Sequence, residues 1–137
     1  MSSKFESSIR EIPYSQQSVY DMLSDLNNIN KVKDRIPEDK LKDLSFDADS
    51  IFIKSPMGDV QLHIVEREEP KCIKFETEQS PLHFNLWIQI QPVDVSTSKM
   101  KLTIRADINP FIKTMVQKPL QEGIEKIADA LQAMQYE

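Results

Sequence analysis

From Leu44 to Ile108 apolar and polar side chains alternate with a period of two, and the interruptions are short. Candidate strands are Leu44–Ala48, Ser50–Ser55, Asp59–Glu68, Lys71–Glu78, Leu82–Val93 and Lys99–Ile108. Between them "DADS", "SPMGD", "EREEPK", "EQSP" and "VDVSTS" carry turn chemistry. Connections this short permit only antiparallel neighbours, so these six strands form a meander. Alternation buries one face, built from Val60, Leu62, Ile64, Ile73, Phe75, Leu82, Phe84, Leu86, Ile88 and Ile90, with Met100, Leu102, Ile104, Ala106 and Ile108 behind them.

That face needs a cover, and one segment is long enough to supply it. In "NPFIKTMVQKPLQEGIEKIADALQAM", Asn109 to Met134, the residues Ile112, Val116, Leu120, Ile127, Leu131 and Met134 recur at helical spacing. Asn109 offers an N-cap and Pro110 a favourable first helical position. The helix would span ~37 Å against ~33 Å for a ten-residue strand, so the sheet must curl around it. Pro119 and Gly123 sit in its middle, where a helix tolerates them poorly. The proline cannot donate to the carbonyl of Met115, and its ring pushes the two halves apart. The expectation is a kink. The half from Leu120 onward packs tightly, with Gly123, Ala128 and Ala130 allowing close approach. The half carrying Phe111, Ile112, Met115 and Val116 tilts away over an apolar space.

Ahead of the meander, Lys4 to Ile12 reads as a first strand ending at Pro13. Ser15 is an N-cap for a short helix with Val19, Met22, Leu23 and Leu26 on one face, and Ile29 and Val32 suggest a second. "KVKDRIPEDKLKD" is charged and mixed in sign, and reads as a solvated loop. The fold class is therefore α+β. A curved antiparallel sheet of about seven strands wraps a long kinked C-terminal helix, with two short helices between strands 1 and 2. Residues 1–137 make one domain.

Composition narrows the function by exclusion. A net charge of −5 and a pI of about 5.1 argue against sequence-independent binding to nucleic acid or to an anionic membrane surface. One cysteine excludes an intrachain disulfide and the usual thiolate zinc site. No apolar run approaches the ~20 residues that span a bilayer, and the polar start "MSSKFESSIR" does not read as a signal peptide. The expectation is a cytoplasmic protein with no metal, no cofactor and no stable membrane insertion.

The order of elements resembles the helix-grip fold of the START-like and polyketide-cyclase-like (SRPBCC) superfamily. "IPYSQQSVYDMLSDLNNIN" is similar to that family's strand-to-helix opening, with Val19-Tyr20 preceding the turn Leu23–Leu26. "KPLQEGIEKIADAL" resembles its last helix. The resemblance implies binding of lipids, sterols, quinones or polyketides between helix and sheet, and in some members cyclisation or dehydration. A glycine-rich loop like that of the plant allergen branch is absent, because Gly58 and Gly123 are the only glycines. No residue matches a catalytic motif of the family.

The residues with chemistry are few. His63 and His83 fall between inward-facing neighbours and so point to solvent, which leaves histidine-based nucleophilic or metal chemistry without its usual base or ligand. Cys72 also points outward. Inward polar candidates are Ser7, Glu11, Ser55, Glu66 and Thr77. A carboxylate at Glu66 would gain general acid–base capacity if it were desolvated, and otherwise sits at a solvated rim. Trp87 falls on the outer face, either covered by basic stems or marking a protein contact.

These observations favour a binding protein for an apolar or amphipathic small molecule such as a lipid, quinone or polyketide. The expected ligand-binding residues are Phe75, Thr77, Phe84, Leu86, Ile104, Ile112, Met115 and Glu66. The alternatives are a cyclase or dehydratase using Glu66 or Thr77, and an interaction module or homodimer formed through the outer face around Trp87.

Overall fold

The computed structural model describes residues 2–32, 34, 38–41, 43–54, 58–79, 82–134 and 136. Ser55 and part of the 31–43 stretch lie outside them. The elements are β1 (Ser2–Glu6), β2 (Arg10–Ile12), α1 (Gln16–Leu23), α2 (Asn27–Val32) and α3 (Glu38–Leu41). They continue with β3 (Leu44–Phe46), β4 (Ser50–Ile53), β5 (Val60–Glu68), β6 (Cys72–Gln79), β7 (Phe84–Pro92), β8 (Ser98–Asp107) and α4 (Pro110–Gln132). The sheet order is β1-β8-β7-β6-β5-β4-β3, antiparallel throughout, with β2 also paired to β8. The meander from β3 to β8 is thus extended by the N-terminal strand pairing with the last one. This is the helix-grip arrangement, a curved sheet closed by its C-terminal helix.

The inner face holds the residues that alternation places there. Leu62, Ile73, Phe75, Leu86, Ile88 and Leu102 are fully buried, and Ile90, Met100, Ile104, Ala106 and Ile108 nearly so. Val19, Leu23, Leu26 and Ile29 from α1, its following turn and α2 complete one end of the core. Tyr136 closes it further, edge-on to Tyr14 with ring centroids 5.9 Å apart. Both expected N-caps form: the Ser15 hydroxyl accepts from the Ser18 N–H at 3.1 Å, and Asn109 Oδ1 from the Phe111 N–H at 2.9 Å.

The first strand differs from its reading as one element. Glu6 pairs with Thr103 and Arg10 with Met100, so three residues of the N-terminal edge face two of β8. The extra residue is a β-bulge, and it reverses the alternation beyond it. Ser7 stays inward, with its hydroxyl accepting from the Leu102 N–H at 2.9 Å. Past the bulge Arg10 and Ile12 take the inner side, and Glu11 is exposed instead of inward.

A second bulge sits in β5. Ile64 pairs with Phe75 and Glu66 with Lys74, which leaves Val65 as the additional residue. Glu66 therefore shares the outer face with Lys74 and is exposed, while Arg67 pairs with the buried Ile73. Arg67 donates from Nε to the Ser24 carbonyl at 2.9 Å and from Nη2 to Asp49 at 2.8 Å, tying β5 to the end of α1.

Helix α4 runs continuously through Pro119 and Gly123. Its buried residues are Leu120, Ile124, Ile127, Ala128, Ala130 and Leu131. Ahead of Pro119 the helix is more exposed: Phe111 is 89% and Met115 72% exposed, although Val116 still packs against the core. The expected division into a tightly packed half and a looser half is present, but the residues ahead of Pro119 do not line the cavity described below. Within the stretch read as a solvated loop, a single helical turn forms at α3.

Candidate functional site

The cavity lies beneath the centre of α4. It has a volume of about 390 Å³ and is bounded by β4, β5, β7 and β8 on the sheet side and by residues 119–127 on the helix side. Its wall is apolar: Ile53, Val60, Leu62, Phe84, Leu86 and Ile104 come from the sheet, and Pro119, Leu120, Ile124 and Ile127 from the helix. Strand alternation aims the sheet residues inward, and the four- and three-residue steps from Leu120 to Ile124 to Ile127 aim the helix residues at them.

Gly123 accounts for the space. A Cβ placed on it would meet nothing within 4 Å. The glycine is not needed for close approach of helix and sheet, as its small size suggests in the sequence; it leaves the helix without a side chain where it lines the cavity. It lies one turn after Pro119, on the same face of the helix, and both line the cavity.

Charged residues gather at the mouth. Asp43, Lys54, Glu122 and Lys126 belong to the lining. Lys126 Nζ lies 3.1 Å from Asp43 Oδ2, linking α4 to the residue just before β3. Asp43 has φ 67°, a left-handed conformation that aspartate tolerates better than most residues. Lys54 stands beside it, its N–H donating to the Asp43 carbonyl at 2.9 Å.

Of the residues expected to bind ligand, Phe84, Leu86 and Ile104 are in the cavity wall. Phe75 and Thr77 are buried on the inner face of β6 but do not line the cavity. Ile112 and Met115 lie on the looser half of α4, outside the cavity. The β5 bulge places Glu66 on the opposite side of the sheet. Sequence reading missed the wall formed by Leu120, Ile124 and Gly123, although the pairing of Pro119 with Gly123 one turn later was visible.

Thr77 and His83 are engaged with each other and with their neighbours. Thr77 Oγ1 accepts from the Phe84 N–H at 3.2 Å and lies 2.8 Å from His83 Nδ1. His83 is solvent-facing, with Nε2 3.6 Å from Glu76. Among the described residues no group of three or more His, Cys, Asp or Glu is placed to hold a metal ion. Burial pushes the Cys72 thiol up, with Glu68 and Glu66 adding to the effect, so it is a poor nucleophile at neutral pH. Lys74 Nζ lies 5.4 Å from the centre of the Trp87 ring, so a basic stem covers that aromatic, the first of its two readings.

Two further depressions, of about 440 and 820 Å³, have no lining residue from α4. The first continues outward from the cavity mouth past Phe52 and Gln61, and the second runs among Lys71, Gln89, Lys99 and Lys101. Of these three spaces the one beneath α4 is walled by the core itself, which makes it the candidate site.

No protein-family model and no curated relative matches the sequence. Solved structures do match the fold. Norcoclaurine synthase from Thalictrum flavum, as a point mutant in complex with a transition-state analogue, superposes with a TM-score of 0.72 at 13% identity, over 96% of this chain and 92% of that one. A START superfamily protein from Mycobacterium smegmatis gives 0.65 at 14% identity, over 94% of each chain. A protein from Thermus thermophilus gives 0.62 at 16% identity, over 95% of this chain and 94% of that one. At this level of identity the likeness is one of architecture: the chain shares the helix-grip fold of these structures.

Proposed function

We propose that this protein binds an apolar or amphipathic small molecule in the cavity beneath α4. The observation that carries the reading is the open space at Gly123 inside an apolar wall. An apolar-walled space of about 390 Å³ falls within the ~300–1,000 Å³ of small-molecule sites. Lipids, quinones and polyketide-like molecules, the classes that the resemblance implies, are the ligands to screen. Among the described residues no helix is long and apolar enough to cross a membrane, and the acidic composition fits a cytoplasmic carrier or sensor.

The alternatives have less support. Glu66 faces solvent across from Lys74, the Thr77 hydroxyl is engaged by Phe84 and His83, and neither residue lines the cavity. Self-association through Trp87 would first have to displace the Lys74 stem.

Native mass spectrometry of freshly purified protein, together with titration of a neutral fluorescent probe such as Nile red, tests the reading. A co-purified molecule or saturable probe binding is the expected result. Unliganded mass and no saturable binding would overturn it.

A further inference from the structure

The charge arrangement at the mouth gives the chemistry of the ligand's polar end, and it rests on the binding reading above. The inner wall is aliphatic and aromatic, so a charged group placed against it would lose its hydration with no partner in return. The polar end of any amphiphile must therefore stay at the mouth. Of the four charged residues there, Asp43 and Lys126 pair with each other at 3.1 Å. Glu122 has Lys118 one turn earlier on α4, at 3.9 Å, and its side chain is 67% exposed. Lys54 has no carboxylate partner among the described residues. We infer that the cavity selects amphiphiles with an anionic head, a carboxylate in the simplest case, and that Lys54 holds that head at the mouth.

The geometry suits the role. Lys54 follows directly after β4, whose Ile53 lines the cavity, and its backbone is fixed to Asp43 by the 2.9 Å hydrogen bond. A lysine stem can lie along the apolar rim while its ammonium stays wet. The two acids at the mouth oppose an anion, but each has its own cation nearby. The net charge of −5 acts weakly at this point, because charges beyond about 10 Å are screened at ordinary ionic strength.

The test is competition against bound Nile red by decanoate and by decanol, which share a chain and differ in head charge. The parent is expected to bind decanoate about fivefold more tightly than decanol, the scale of one exposed ion pair. Lys54→Met should abolish that preference, read as the ratio of the two affinities, and Lys54→Arg should retain it. Equal displacement by both in the parent, or a preference that survives Lys54→Met, would overturn the inference. So would failure of both to displace a probe that itself binds. If the probe does not bind at all, it is the cavity reading that falls, and the head-group inference falls with it.

Discussion

Arg10 of β2 places its guanidinium among Glu125, Asp129 and Gln132 of α4, bonding Asp129 and Gln132 through Nη1 and Glu125 through Nη2 at 3.3 Å. Its side chain is only 13% exposed. Glu125 also accepts from the Ser8 N–H at 2.8 Å, and Gln121 and Gln132 donate to the carbonyls of Glu6 and Glu11. The edge of the sheet is thereby fastened along the packed half of the helix. Partial burial works against the Arg10 cation, but Asp129 and Glu125 outweigh it and hold its pKa above the ordinary value.

Removing that clamp leaves Asp129 without its cation and Glu125 with only its bonds to Ser8. Arg10→Met is expected to destabilise the protein by about 1.5–3 kcal/mol. Lys126→Met, which removes a more exposed pair, should cost at most about 1 kcal/mol. Urea unfolding of both variants measures the difference through the midpoints. Equal losses would mean that the clamp is worth no more than a surface ion pair.

The two halves of α4 should separate in the same experiment. Ile127 and Leu131 are buried to within 3% exposure, so truncation of either to Ala should cost ~2–5 kcal/mol. Phe111→Ala and Met115→Ala alter exposed side chains and should stay within about 0.5 kcal/mol of the parent. A loss above about 2 kcal/mol at Met115, the scale of a buried side chain, would show that the first half is packed against something.

Two bulges explain where the sequence was legible and where it was not. Period-two patterning located the strands and the inner face, and helical spacing the cover, because those depend on many residues agreeing. The roles of Glu11 and Glu66 hung on parity at a single position. One inserted residue before Arg10 and another at Val65 reversed it, and no glycine or proline marks either site. In both places an arginine replaced the expected glutamate on the inner side, where its longer stem reaches a helix or its end. A proline kink that lifts the first half of the helix puts the cavity under Met115. It lies instead at Gly123, where a side chain is missing. Mouth residues such as Lys54 and Asp43 come together only through the β3–β4 pairing, which no local pattern reveals.

Burial of Tyr136 gives a pH dependence. Desolvation pushes its phenol well above the ordinary tyrosine value, so the folded state retains a proton that the unfolded chain gives up at about pH 10. Stability from this group is intact below that pH and is lost as pH rises beyond it. Thermal unfolding between pH 8 and 11, roughly bracketing that value, should show a fall at the alkaline end that is shallower in Tyr136→Phe. Parallel curves for the two proteins would place the phenol in water.

The central claim is that the space at Gly123 is empty in the free protein and holds the ligand. Gly123→Leu tests it with two readings of opposite sign. Replacing a mid-helix glycine should raise stability by up to ~1 kcal/mol, because leucine is the better helix former and its Cβ meets no neighbour. The same side chain would occupy the cavity, so Nile red binding should fall at least about tenfold, a loss of ~1.4 kcal/mol. A higher melting temperature with lost probe binding is the expected result. A lower melting temperature with probe binding unchanged would mean that leucine is forced into a packed core, and that the probe sits elsewhere.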